Sequence, residues 1–173
     1  MNIKKLLIIL SFFLISQISL NAEIPHYLDF KLILNESDAG KKAQAFLKNK
    51  LETGIKNLQK KEKDILAEEK KIIDQKKIIS ADEYKKKLTD LRNKVSSLQK
   101  ERNTLLESVA KQRSKAKSEL LKNLNPIMNK YMVEKNIRMI IDKKDVLLAD
   151  DKLNITKDVM ILLNKQLKSI KLN

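Results

Sequence analysis

Cysteine and tryptophan are absent from this chain of 173 residues, and glycine and proline occur only twice each. Without cysteine there can be no disulfide framework and no thiolate-based metal or redox chemistry. Two glycines can supply neither the turns of a many-stranded sandwich nor the Gly-rich phosphate loops of a nucleotide fold, so long uninterrupted helices must carry most of the chain. The single histidine, His26, argues against a His-rich metal site or a catalytic triad within one chain, and it reads as a structural residue near a strand start. No convergent set of acid, base and nucleophile is evident, so an enzyme is the least supported class and no cofactor is expected. Aromatics make up 4% of the residues and charged residues 34%. Lys and Arg number 37 against 22 Asp and Glu, a net charge of +15.

Residues 1–22 have the pattern of a secretory leader. Lys4 and Lys5 form a basic start, the run from Leu6 to Leu14 is apolar except for Ser11, and Leu20-Asn21-Ala22 ends in a residue small enough for signal peptidase. The apolar stretch is about 15 residues, short of the roughly 20 that a membrane span needs. Cleavage before Glu23 and export are expected, leaving a net charge of +13. Export changes how that charge is read. Phosphate neutralisation would suggest nucleic acid in the cytoplasm, whereas outside it the available polyanions are lipid head groups, lipopolysaccharide and acidic proteins. The charge is also concentrated. Residues 41–122 hold 24 basic against 12 acidic residues, a net of +12, on a segment with no proline and only Gly54.

That segment, 39–122, reads as a long helical hairpin. Leu51, Leu58, Ile65, Ile72 and Ile79 recur every seven residues, with Leu47, Ile55, Leu66 and Ile73 alongside. The returning arm steps by four and three through Tyr84, Leu88, Leu91, Val95, Leu98, Arg102, Leu105, Val109, Gln112, Ala116 and Leu120, a thin coiled-coil seam. Ser80-Ala81-Asp82-Glu83 fits a capping box, and Ile79 with Tyr84 fits a hydrophobic staple. The turn therefore falls near 77–81, with the first helix ending near Gln75 to Lys77 and the second starting at Ala81.

The flanks, 23–38 and 123–173, must anchor the hairpin. Tyr27 to Leu34 places Leu28, Phe30, Leu32 and Leu34 at alternate positions and reads as a strand. Ile137–Asp142 and Asp145–Ala149, on either side of Lys143-Lys144, read as a β-hairpin containing Ile140, Val146 and Leu148. Thr156 is expected to cap a last helix whose stripe is Val159, Leu162, Leu163, Gln166, Leu167 and Ile170. Such a small sheet keeps exposed edges, which makes oligomerisation physically expected. The fold class is thus α+β, mostly α: a long antiparallel hairpin projecting from a small β-sheet body.

This layout resembles the Skp (OmpH-like) family of periplasmic chaperones. The resemblance rests on Asn35-Glu36-Ser37-Asp38-Ala39-Gly40-Lys41-Lys42-Ala43-Gln44, on Leu124-Asn125-Pro126-Ile127-Met128, and on the ending from Ile140-Ile141-Asp142 to Asn154-Ile155-Thr156-Lys157-Asp158-Val159. It implies a periplasmic homotrimer with an interlocked β-rich body, in which Leu28, Phe30, Leu32, Ile140, Val146 and Leu148 take part. Its arms would surround a basic cavity holding unfolded outer-membrane proteins without ATP. Candidate client contacts are Lys60, Lys61, Lys70, Lys71, Ile72, Ile73, Lys76, Lys77, Ile78, Ile79, Lys85, Lys86 and Lys87. The tip is amphipathic enough to touch clients or an anionic membrane surface. Arg92, Lys94, Arg102 and Arg113 are candidates for lipopolysaccharide, and Gly54 and Pro126 are candidate hinges that let the arms splay. The rival classes are a periplasmic coiled-coil adaptor and a polyanion binder; only the charge favours nucleic acid, and the leader opposes it.

Overall fold

The computed structural model describes residues 24–172, so the expected leader lies outside the described residues. A short strand β1 (His26–Leu28) leads into helix α1 (Phe30–Glu36). Two long helices follow, α2 (Asp38–Gln75) and α3 (Ala81–Lys135). Strand β2 (Ile140–Asp142), two single 3-10 turns (Lys143–Asp145 and Asp151–Leu153) and helix α4 (Thr156–Gln166) complete the order. The architecture is α+β and dominated by helix.

The two long helices begin where a serine side chain satisfies an otherwise orphaned backbone amide. The Ser37 hydroxyl accepts from the Gly40 amide at 3.2 Å to start α2, and the Ser80 hydroxyl accepts from Glu83 at the same distance to start α3. Between them the chain reverses on hydrogen bonds from the Ile78 and Ile79 amides to the Gln75 carbonyl, with the Lys76 ammonium 5.8 Å from the centre of the Tyr84 ring. Asn136 adopts the left-handed conformation that closes α3, and the Ile137 amide reaches back to the Met132 carbonyl at 2.8 Å.

With 38 residues, α2 is about 57 Å long at 1.5 Å per residue. Its seven-residue series faces α3: Leu58 and Ile72 are buried and Leu51 and Ile65 are half-buried, and the series continues into the turn with the half-buried Ile79. The series on α3 answers with Leu91, Ala116 and Leu120 buried, whereas Val95 and Arg102 face solvent. Gly54 lies directly beneath Leu105. A Cβ there would stand 2.5–2.6 Å from the two Leu105 methyl groups, so glycine admits the opposing side chain. Packing under Leu105 therefore accounts for this glycine without invoking a hinge. Pro126 lies inside α3, between the buried Leu124 and Ile127 of the body core, with its own ring exposed. Lacking an amide hydrogen, Pro126 removes one helical hydrogen bond, yet the helix runs on through it to Lys135.

The body core gathers Leu28, Ile33, Ala39, Leu120, Leu124, Ile127, Tyr131, Ile137, Ile155, Val159 and Leu163. Within it the Tyr131 hydroxyl donates to Asp158 Oδ2 at 2.7 Å. Burial, and then the Asp158 carboxylate, raise the Tyr131 phenol from 10.0 to about 12.

The body departs from the sequence reading at four places. The stretch from Phe30 to Leu34 is helical, because the Asp29 carboxylate accepts from the Leu32 amide at 2.8 Å and caps α1. Phe30, Ile33 and Leu34 then turn inward at helical spacing, and Leu32 points outward. No β-hairpin forms around Lys143-Lys144. The Asp142 side chain accepts from the Lys144 amide and starts a 3-10 turn, and β2 pairs in parallel with β1, His26 beside Ile140 and Leu28 beside Asp142. Val146 and Leu148 consequently lie outside the sheet. Thr156 is the first residue of α4 and not its cap, since Ile155 holds the cap position and no side chain caps the helix. Finally, α4 ends at Gln166, so Leu167 and Ile170 lie beyond it.

Candidate functional site

The hairpin has two unlike faces flanking its seam. At about 3.6 residues per turn, Lys61 and Glu68 on α2 and Lys94 and Glu101 on α3 fall on one face. There they form two cross-hairpin ion pairs, each at 2.6 Å. Partners across an exposed surface add little stability singly, yet they occupy both charges and keep that face polar.

The opposite face is apolar. Ile55, Leu66 and Ile73 fall on the same side of α2, and Val95 and Leu106 fall on the matching side of α3. All five are exposed. The stripe is interrupted by the Arg102–Glu62 pair at 3.9 Å. Toward the body it runs into an open groove of about 740 Å³ floored by Leu47, Leu51, Val109, Ala116 and Leu120, with Lys48, Arg113 and Lys117 on its rim.

The residues singled out from sequence are spread over this framework. Ile72 is 3% exposed in the seam and is not open to a partner, whereas Ile73 and Ile78 are 58% and 82% exposed. Ile79 is half-buried. Lys61 is engaged by Glu101, and Lys87 lies 3.9 Å from Glu83. Lys60, Lys70, Lys71, Lys77, Lys85 and Lys86 form no ion pair with another described residue, and all are exposed. Helical spacing turns Lys60, Lys70 and Lys71 to the side of α2 away from α3, so they form a diffuse cationic field. Arg92, Lys94, Arg102 and Arg113 are not brought together: Lys94 and Arg102 are paired to acids on opposite faces, and Lys94 and Arg113 stand about 29 Å apart along α3.

Sequence reasoning placed Ile55, Leu66 and Val95 at the seam and passed over Leu106. The usable signal lay in the doublets Ile65-Leu66 and Ile72-Ile73. Once the first member of each enters the seam, the second must turn about 100° toward the flank. Around the body, Ile24, Val133, Met139, Leu147 and Leu148 are also exposed, with Leu147 and Leu148 at 102% and 93%. Beside them Leu28, Phe30, Met128, Met132 and Ile140 line a shallow groove of about 450 Å³. Among the described residues no helix is long and apolar enough to cross a membrane.

The family model for outer membrane protein (OmpH-like) matches residues 26–163, from the first residue of β1 to the middle of α4. Among solved structures, that of a candidate outer membrane chaperone (OmpH-like) from Caulobacter crescentus superposes with a TM-score of 0.79 at 21% identity, covering 86% of this chain and 89% of that one. A comparison with curated proteins finds no match.

Proposed function

This chain belongs to the OmpH-like family, and on that premise we propose that it is a periplasmic chaperone for outer-membrane proteins. It captures them unfolded, keeps them from aggregating, and works without ATP or any chemical step. The observation that carries this reading is the apolar face of the hairpin, Ile55, Leu66, Ile73, Val95 and Leu106, set among unpaired lysines. An unfolded β-barrel protein exposes apolar segments that such a stripe can cover. Each contact is small, so the grip is loose and the client can leave without an energy source. The lysine field accelerates encounter with acidic clients.

The working form is a homotrimer whose arms enclose a cavity. Support comes from the body, where Leu147 and Leu148 stand free near a small two-stranded sheet. Residues 1–22 are the leader that sends the chain to the periplasm. Lipopolysaccharide or an anionic membrane surface is a secondary partner for the cationic arms, with nucleic acid no part of the function.

The test is light scattering of a urea-unfolded β-barrel membrane protein on dilution into chaperone, across a salt series. The intact chain suppresses aggregation, and capture slows as salt screens the lysines. The triple variant Ile55→Gln, Leu66→Gln, Ile73→Gln, all exposed positions given a good helix former, keeps its circular dichroism and loses suppression. Undiminished suppression by that variant would remove the apolar face from the mechanism. Failure of the intact chain to suppress aggregation would sink the chaperone reading itself.

A further inference from the structure

Beyond Gln166 the chain leaves α4 in an extended conformation, with Leu167 at φ −124° and ψ 104°. It then lies along the base of the hairpin, over residues that also line the groove rimmed by Arg113. Leu172, 4% exposed, packs with Ala43, Leu47 and Ala116, and Ile170 touches both this cluster and the body core. Ser169 and Lys171 point outward. Apolar residues two apart facing inward with polar ones between is the presentation of a β-strand. After the bend at Lys168, the hairpin base therefore accepts a short extended segment that alternates over residues 169–172.

Its polar hold on this occupant is slight. The polar attachments are the Gln112 side-chain amide to the Leu172 carbonyl at 3.3 Å and an exposed Lys168–Asp38 pair at 2.9 Å. Charge is mismatched as well, because a strap carrying Lys168 and Lys171 lies on an arm whose net charge is +12. At its end Lys50 donates to Ser108 Oγ at 2.9 Å and to Gln112 Oε1 at 3.0 Å, and it has no carboxylate partner among the described residues. A segment that brings a side-chain carboxylate to Lys50 would form an ion pair for which residues 167–172 have no acidic side chain. The strap also lies past residue 163, where the family match ends.

We propose that the groove formed by Ala43, Leu47, Val109 and Ala116 is a binding site for extended client segments of alternating apolar and polar residues. Its intramolecular occupant is the segment 167–172, which a client displaces, and Lys50 selects segments bearing an acid. This rests on the chaperone reading and adds to it a second, strand-type site with a built-in competitor.

The test is fluorescence anisotropy of a labelled, C-terminally amidated peptide that alternates leucine and serine and ends in aspartate, so that the aspartate side chain is its only carboxylate. It is run on the intact chain, on a chain ending at Leu167, and on full-length Leu172→Ser, with helix content checked for each. If the strap is open about one time in ten, removing it tightens binding about tenfold. A free peptide with the sequence of residues 167–172 restores competition, and Lys50→Gln weakens the aspartate-ended peptide but not its serine-ended counterpart. Equal or weaker binding by both strap variants, with helix content unchanged, overturns the proposal. Should the truncated chain unfold, Leu172→Ser alone decides it. Aggregation suppression by the intact chain separates the two ideas: suppression without tighter peptide binding removes the strap site and leaves the chaperone reading intact.

Discussion

The backbone amide of Asp29 donates to Thr156 Oγ1 across 2.8 Å, joining residues 127 positions apart. The same hydroxyl donates to Asn154 Oδ1 at 2.6 Å, and Asn154 Oδ1 also accepts from the Thr156 amide at 3.0 Å. One threonine thus ties the start of α1 to the start of α4. Thr156→Val keeps the volume and leaves the Asp29 amide without its acceptor. A loss of about 1–3 kcal/mol is expected, read as a lower urea midpoint with an unchanged slope.

Tyr131 provides a second link, between α3 and α4. Its phenol is raised from 10.0 to about 12, first by burial and then by Asp158. The folded state therefore holds this proton above the pH at which the unfolded chain releases it. The contribution to stability is complete below about pH 10 and is lost as the pH climbs toward 12. Ultraviolet titration should show one of the three tyrosines ionising late, and Tyr131→Phe should abolish that late phase.

Gly54 offers a test of close packing. Gly to Ala within a helix ordinarily stabilises by about 1 kcal/mol, but here the added methyl meets Leu105. Overpacking costs of about 1–3 kcal/mol should prevail, lowering the melting temperature. The double variant Gly54→Ala, Leu105→Ala should recover part of the loss, which a double-mutant cycle would measure. If Gly54 were instead a hinge, Leu105→Ala would bring no rescue.

Leu147 and Leu148 are nearly fully exposed next to the sheet. In a trimer they are the natural residues for other copies to cover, so Leu147→Ser with Leu148→Ser should shift sedimentation toward the monomer while helix content holds. Sedimentation identical to the parent chain would place the interface elsewhere.

The hairpin was legible in sequence, and the body was not, for physical reasons. Seven-residue spacing through Leu58 and Ile72 and the Ser80 cap are local signals, and local contacts decide a hairpin. The run Phe30-Lys31-Leu32-Ile33-Leu34 satisfies both a two-residue and a helical period; the overlooked arbiter was Asp29, a capping residue. That β2 would pair with β1 in parallel depended on a partner 114 residues away, His26 beside Ile140. The apolar face was misread because a helix flank and its seam differ by a single position. The strap after Gln166 carries too short a pattern to be told from a continued helix.

The parallel pairing of β1 with β2 also orders the steps by which the chain folds. Two long helices spanning residues 38–135 lie between β1 and β2, so closing the sheet directly would mean closing a very long loop. Zipping from the tip, where Ile79 and Tyr84 are five residues apart, brings α2 and α3 together in small increments and carries Leu28 and Ile140 toward each other. The arm is therefore the scaffold that assembles its own base. Weakening Leu58 or Leu91 should slow formation of a sheet neither residue touches.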